Sequence, residues 1–166
     1  LSELADNAMA FKDYNPAIDL LGQAINLYKK LGDTKKALKC ARNLSRALAF
    51  IKQYGKAIEN FQEILALIIV VDDTIIDINK SNSDLYNELG AIAASNSDPL
   101  EARQLTEKSL EISRADQHIC GVYTSLNQLG FIELSNQECD IQYSLQCFME
   151  SILLSANEFD CDLVLS

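Results

Sequence analysis

His118 is the only histidine in the chain, and Cys120 stands two residues beyond it. On a helix, positions i and i+2 point apart, so the two make a poor metal pair. Tetrahedral zinc needs four ligands, and the usual ligand spacings are missing. The expectation is a surface histidine at a helix start, with no metal and no Cys–His catalytic pair. Neither a Gly-rich phosphate loop nor a G-x-S-x-G elbow occurs. An enzyme would need converging nucleophile, acid–base or metal groups, so the chain reads as non-catalytic and free of cofactors.

Two other patterns carry more promise. Lys39, Arg42 and Arg46 fall at i, i+3 and i+7, one helix face, in a chain of net charge −10. Such a strip can hold carboxylates through charge-assisted hydrogen bonds. It can equally be a solvated face that pairs with Asp84 or Glu88, and an exposed pair of that kind contributes only ~0–1 kcal/mol. The second pattern is a set of carboxamides, Asn43, Asn87, Asn127 and Gln128. Each offers a donor and an acceptor to an extended peptide backbone, or is plain helix-surface polarity.

These residues must be positioned by helices. The pattern Tyr14-x-x-Ala17-Ile18-x-x-Leu21-x-x-Ala24-Ile25 returns 40 residues later as Tyr54-x-x-Ala57-Ile58-x-x-Phe61-x-x-Ile64-Leu65. Apolar residues at i, i+3, i+4 and i+7 are the mark of an amphipathic helix, and a fixed offset in this range marks a stacked array. Leu4, Leu44, Leu89 and Leu129 fall at intervals of 40, 45 and 40. The five extra residues lie between Leu67 and Leu89, where Asp72-Asp73 and Asn79 to Ser83 suggest a break. Insertions in solenoids fall in turns, which lengthen without moving the stacked cores.

The helix limits follow from caps. Pro16 suits a helix start and Gly32 a left-handed C-terminal cap. Asp33 or Thr34 caps a helix over about Lys35 to Gln53. Tyr54-Gly55 is expected to turn, with the next helix from Lys56. A third unit is expected from about Ser81, and Pro99 to Arg114 is its partner helix, introduced by Ser97-Asp98. A turn at Asn157 to Asp160 is expected to precede a further helix.

Leu89-Gly90, Leu129-Gly130, Tyr14-x-x-Ala17, Tyr54-x-x-Ala57, Ala24 and the Leu31-Gly32-Asp33 turn resemble the tetratricopeptide repeat family. The interval is longer than the family's usual length of about 34 residues, and is similar to its long-helix variant. The resemblance implies an all-α, right-handed superhelical solenoid of antiparallel helix pairs. It gives one array of four repeats, 1–33, 34–80, 81–116 and 117–158, plus a further helix from 159 to 166. Leu44-Ser45 departs from Leu-Gly, and Thr106 and Ser109 depart in the third partner helix.

By the same resemblance the first helices line a concave groove. Its expected peptide-binding residues are Lys39, Arg42, Asn43, Arg46 and Phe50, with Asn87, Asn127, Gln128 and Phe131. Ser2, Glu3, Asp6, Met9, Ala49, Asp84, Glu88, Ala91, Thr124 and Leu134 border them. Co-chaperones of this family that bind acidic chaperone tails use a clamp of Lys, Arg and Asn. Here only Asn43 matches that clamp, and Asp84 and Glu88 would repel the tail, so that specific function is excluded.

Composition sets the remaining bounds. The net charge argues against nucleic acid, which needs clustered Lys and Arg, and against anionic membrane surfaces. The longest apolar run, Ile64 to Val71, is too short to span a bilayer. The five cysteines are odd in number and without C-x-x-C spacing, which fits free thiols in a reducing, cytoplasmic compartment. The expected role is a scaffold for a protein or peptide partner. The alternative is a regulatory or sensory region of a larger enzyme or transcriptional regulator, because the row opens at Leu1 without an initiator Met and is expected to be an excerpt. Leu145, Phe148, Ile152 and Leu153 are expected to leave apolar surface open near the C-terminal end, through which the chain self-associates.

Overall fold

The computed structural model describes the backbone of residues 1–71, 78–136 and 140–164, and side chains there except at 65, 67–71, 78–81 and 157–164. Among the described residues all regular structure is helical: α1 (Ser2–Ala10), α2 (Tyr14–Leu31), α3 (Thr34–Phe50), α4 (Tyr54–Val71), α5 (Ile78–Ser95), α6 (Pro99–Ala115), α7 (Ile119–Leu134) and α8 (Ile141–Val164). The chain divides into two compact units, Leu1–Ile76 and Asp77–Ser166. In the first, α1 packs on α2, α2 on α3, and α3 on α4; in the second, α5 packs on α6, α6 on α7, and α7 on α8. Each unit is thus a run of antiparallel helix hairpins, the all-α solenoid architecture expected.

One device makes most of the turns. Gly32 has φ 69°, and Lys12, Lys52, Ser97 and Gln117 are non-glycine residues with φ between 56° and 61°. After α3, the Lys52 N–H donates to the Ala49 carbonyl and the Gln53 N–H to the Leu48 carbonyl. The same pair of bonds follows α1, α2, α5 and α6, ending at Asp13, Asp33, Asp98 and His118. This is the Schellman closure, which satisfies carbonyls that a helix end leaves open. The next helix starts at once. At α3 the Asp33 carboxylate accepts from the Lys36 N–H at 3.1 Å, the expected cap.

Four boundaries differ from the sequence reading. The turn after α3 is Ile51 to Gln53, so α3 ends at Phe50, Tyr54 opens α4, and Gly55 lies inside its first turn. The left-handed residue that makes the turn is Lys52, not the glycine. α5 begins at Ile78, so Asn79 to Ser83 lie within a helix rather than a break; Asp72-Asp73 lie outside the described residues. α8 runs unbroken to Val164 through the expected turn at Asn157 to Asp160. Asn and Asp lower helix propensity by no more than about 0.7 kcal/mol each, too little to stop a helix without Gly or Pro.

Small residues set the spacing in both cores. In the first unit Ala5, Ala17, Ala24, Ala37, Ala41, Ala47 and Ala57 are buried, with Leu21 and Phe61 filling the space between helices. The second unit puts hydroxyls where the first has alanines: Ser83, Thr106, Ser109, Ser113, Ser125, Ser144 and Ser151 are buried. Most find carbonyls. Ser109 Oγ donates to the Ser83 carbonyl at 2.7 Å and Ser144 Oγ to the Gly130 carbonyl at 2.9 Å. A buried hydroxyl without such a bond would cost ~1–3 kcal/mol.

Candidate binding surfaces

In the first unit α3 carries the basic strip. The Asp33 cap and the Lys52 turn hold this helix at both ends. Lys39 and Arg46 are exposed and Arg42 is half-buried beside them. Phe50, half-buried, extends the line by one more turn and stacks on Tyr14 of α2 at 4.8 Å between ring centroids, nearly parallel. Asn43 Nδ2 donates to Asp6 Oδ1 of α1 at 3.0 Å. That bond holds the acidic Asp6 against a carboxamide on the face that carries the cations. Ala49, expected on the groove side, is fully buried. Below the strip, Cys40 lies 3.9 Å from the Ser2 hydroxyl, and burial pushes its thiol pKa up.

In the second unit the carboxamides are already engaged. Gln128 Nε2 donates to the Asn87 carbonyl at 3.1 Å and to Thr106 Oγ1 at 3.0 Å. Both of its N–H hydrogens therefore tie α7 to α5 and α6, leaving its carbonyl oxygen as the group open to another partner. Asn87 and Asn127 are half-buried. The Asn87 Oδ1 is buried without a hydrogen-bond partner. Phe131 is 64% exposed and meets the Phe148 ring edge-on at 5.1 Å.

Two features escaped the sequence reading. Arg103 of α6 gathers three groups. Its Nε bonds Glu107 at 2.9 Å, its Nη1 bonds Glu133 of α7 at 3.2 Å, and its guanidinium lies 5.1 Å over the Tyr143 ring of α8. The Glu133 side chain is only 5% exposed. Arg103 and Glu107 at i and i+4 were a visible signal, but nothing in the sequence brings Glu133 and Tyr143 to them. The second feature is charge polarity. Leu1–Ile76 holds ten basic and nine acidic residues, a net of +1. Asp77–Ser166 holds four basic and fifteen acidic residues, a net of −11. The strip on α3 therefore belongs to the near-neutral unit, and the whole acidic excess lies in the other.

Cys120 is exposed, whereas Cys40 and Cys147 are buried and free. His118 precedes α7, and its buried Nδ1 has no hydrogen-bond partner. Among the described residues no group of three His, Cys, Asp or Glu side chains is arranged to hold a metal. No helix among them is long and apolar enough to cross a membrane.

The tetratricopeptide repeat family model matches residues 1–68, which take in α1, α2, α3 and most of α4. A search of curated proteins found no match. With that match over the first two helix hairpins, and helix hairpins of the same build in both units, the chain is a tetratricopeptide repeat protein.

Proposed function

We propose that this chain is a non-catalytic scaffold that captures an acidic peptide segment of a partner protein on α3. The supporting observation is the line Lys39, Arg42, Arg46 and Phe50, three cations and a stacked aromatic on one helix face, in a unit free of the acidic excess. Carboxylates would bind the cations through charge-assisted bonds, and an apolar side chain would lie against Phe50. The corresponding helices of the other unit would offer Asn87, Asn127, the Gln128 carbonyl oxygen and Phe131 to less acidic stretches. The reading takes 1–33, 34–80, 81–116 and 117–158 as the repeats and places the protein in the cytoplasm, where buried free thiols persist. The exposed row on α8 is a second contact surface in this reading, for another copy of the chain.

A fluorescence anisotropy titration against an array of acidic and neutral peptides tests the α3 surface. Arg42→Glu/Arg46→Glu should weaken acidic ligands at least tenfold, about 1.4 kcal/mol, and the wild-type affinity should fall with salt. Binding undiminished by the double charge reversal would sink the proposal.

A further inference from the structure

Contacts repeated within the second unit fix which positions of α6 and α8 correspond. A Cβ at Gly90 would strike Thr106, and one at Gly130 would strike Phe148. Ser109 donates to the Ser83 carbonyl, and Ser151 donates to the Tyr123 carbonyl. On that register Ile152 of α8 takes the place of Leu110 of α6. Leu110 is 9% exposed and shares a cluster with Val122, Leu126 and Leu129 of α7. Ile152 is 64% exposed, and Ile141, Leu145 and Met149 continue the row, each more than half exposed. Between residues 141 and 156 the only charged side chain is Glu150, which is held by Arg114 of α6.

α1 presents the matching half. The left-handed turn residues Lys12, Lys52 and Ser97 align the first helices, and Gly90 and Gly130 extend the alignment to α7. Leu4 then corresponds to Leu44 and Leu129, and Leu1 to Leu126. Leu44, Leu126 and Leu129 are buried, whereas Leu4 is 58% exposed and Leu1 is open beside it. The chain thus carries both halves of the contact that α6 and α7 make inside the second unit, and it leaves both uncovered.

We propose that α1 of one copy seats on α8 of another, with Leu1 and Leu4 against the row of Leu145 and Ile152, as Leu126 and Leu129 of α7 lie with Leu110. Charge selects this arrangement over two α8 faces meeting. The head-to-tail contact brings the unit of net +1 to the unit of net −11, whereas tail-to-tail sets −11 against −11. The contact is heterologous, so copies add in series. The proposal rests on α8 as a contact surface and goes further by naming what covers it.

Sedimentation velocity of the chain tests this at about 100 µM, a hundredfold above a micromolar Kd. The wild type should sediment as dimers and longer species. Leu4→Glu and Ile152→Glu should each sediment as monomers. Both residues are exposed, so helicity by circular dichroism should be unchanged; Leu145→Glu replaces Ile152→Glu if the latter unfolds. An equimolar mixture of the two variants should form a species that stops at two copies, because one variant keeps α8 and the other keeps α1. If Leu4→Glu still self-associates while Ile152→Glu does not, α8 pairs with itself; the head-to-tail inference fails and the α8 surface stands. If the wild type is monomeric throughout, both fail.

Discussion

Replacing Gly90 by alanine should destabilise the second unit, although alanine is the better helix former. In an open helix interior the exchange gains up to about 1 kcal/mol. At Gly90 the new methyl would overlap Thr106 Oγ1 and lie 2.8 Å from Gln128 Nε2 and 3.2 Å from the Ala102 carbonyl. The Thr106 hydroxyl is not free to retreat. It donates to the Ala102 carbonyl at 2.7 Å and accepts from Gln128 at 3.0 Å. Losing both bonds, with a Gln128 N–H left buried, costs roughly 2–4 kcal/mol. Offset by the helix gain, the net loss is about 1–3 kcal/mol, a fall of roughly 1 M in the urea midpoint. Gly22, in the interior of α2, has nothing within 4 Å of its Cβ position. Gly22→Ala should therefore raise the midpoint in the same assay, urea unfolding followed by circular dichroism. Gly90→Ala on a Thr106→Ala background should cost at least about 1 kcal/mol less, because the hydroxyl it displaces is gone. The close-approach argument is refuted if Gly90→Ala stabilises as Gly22→Ala does.

Lys52→Gly should stabilise modestly, by about 0.5 kcal/mol in thermal unfolding, because relief of the left-handed strain exceeds the added freedom of the unfolded chain; Lys52→Val should destabilise. Arg103→Ala should cost about 2 kcal/mol, discounted for a guanidinium that is well exposed, since it leaves Glu133 buried and unpaired; adding Glu133→Gln should recover part of that in the same unfolding assay. Burial raises the pKa values of the Cys40 and Cys147 thiols and of the Tyr143 phenol, so stability is fully present below their unfolded values and is lost as pH rises toward the folded ones. For the thiols that loss begins near pH ~8.5; melting temperatures should fall between about pH 8 and 10, and Cys40→Ala/Cys147→Ala should flatten the slope.

The helix pairs were legible because apolar spacing survives in a single sequence, as at Ala17, Leu21, Ala57 and Phe61. The turns were legible only at Gly32. A left-handed residue is expected to be glycine, yet Lys12, Lys52, Ser97 and Gln117 take that conformation because the Schellman bonds at each helix end hold them there. Gly55 was given the turn that Lys52 makes, since composition shows which residue tolerates a conformation, not which is forced into it. The groove set was half legible for a related reason. A carboxamide at Gln128 reads alike whether its N–H groups meet a bound peptide or the Asn87 carbonyl, and only depth beneath α5 and α6 separates the two. Lys39 and Arg46 are long and charged on an exposed face, so their placement followed from periodicity alone.

Charge polarity was present in the residue counts but had no meaning until the division at Ile76 was known. Once the chain is divided there, the formal charge of −10 no longer describes either half. An acidic ligand excluded by the total is admitted by the first unit, while the second unit repels it. The same division accounts for the different core chemistry. Buried alanines in the first unit need no partners, whereas the buried hydroxyls of the second need carbonyls at fixed positions. Satisfied hydroxyls specify register more narrowly than methyl groups do, because a shifted helix would leave each of them unpaired. The second unit should therefore tolerate sliding of its helices less than the first, and α8 should present Leu145 and Ile152 in one fixed alignment.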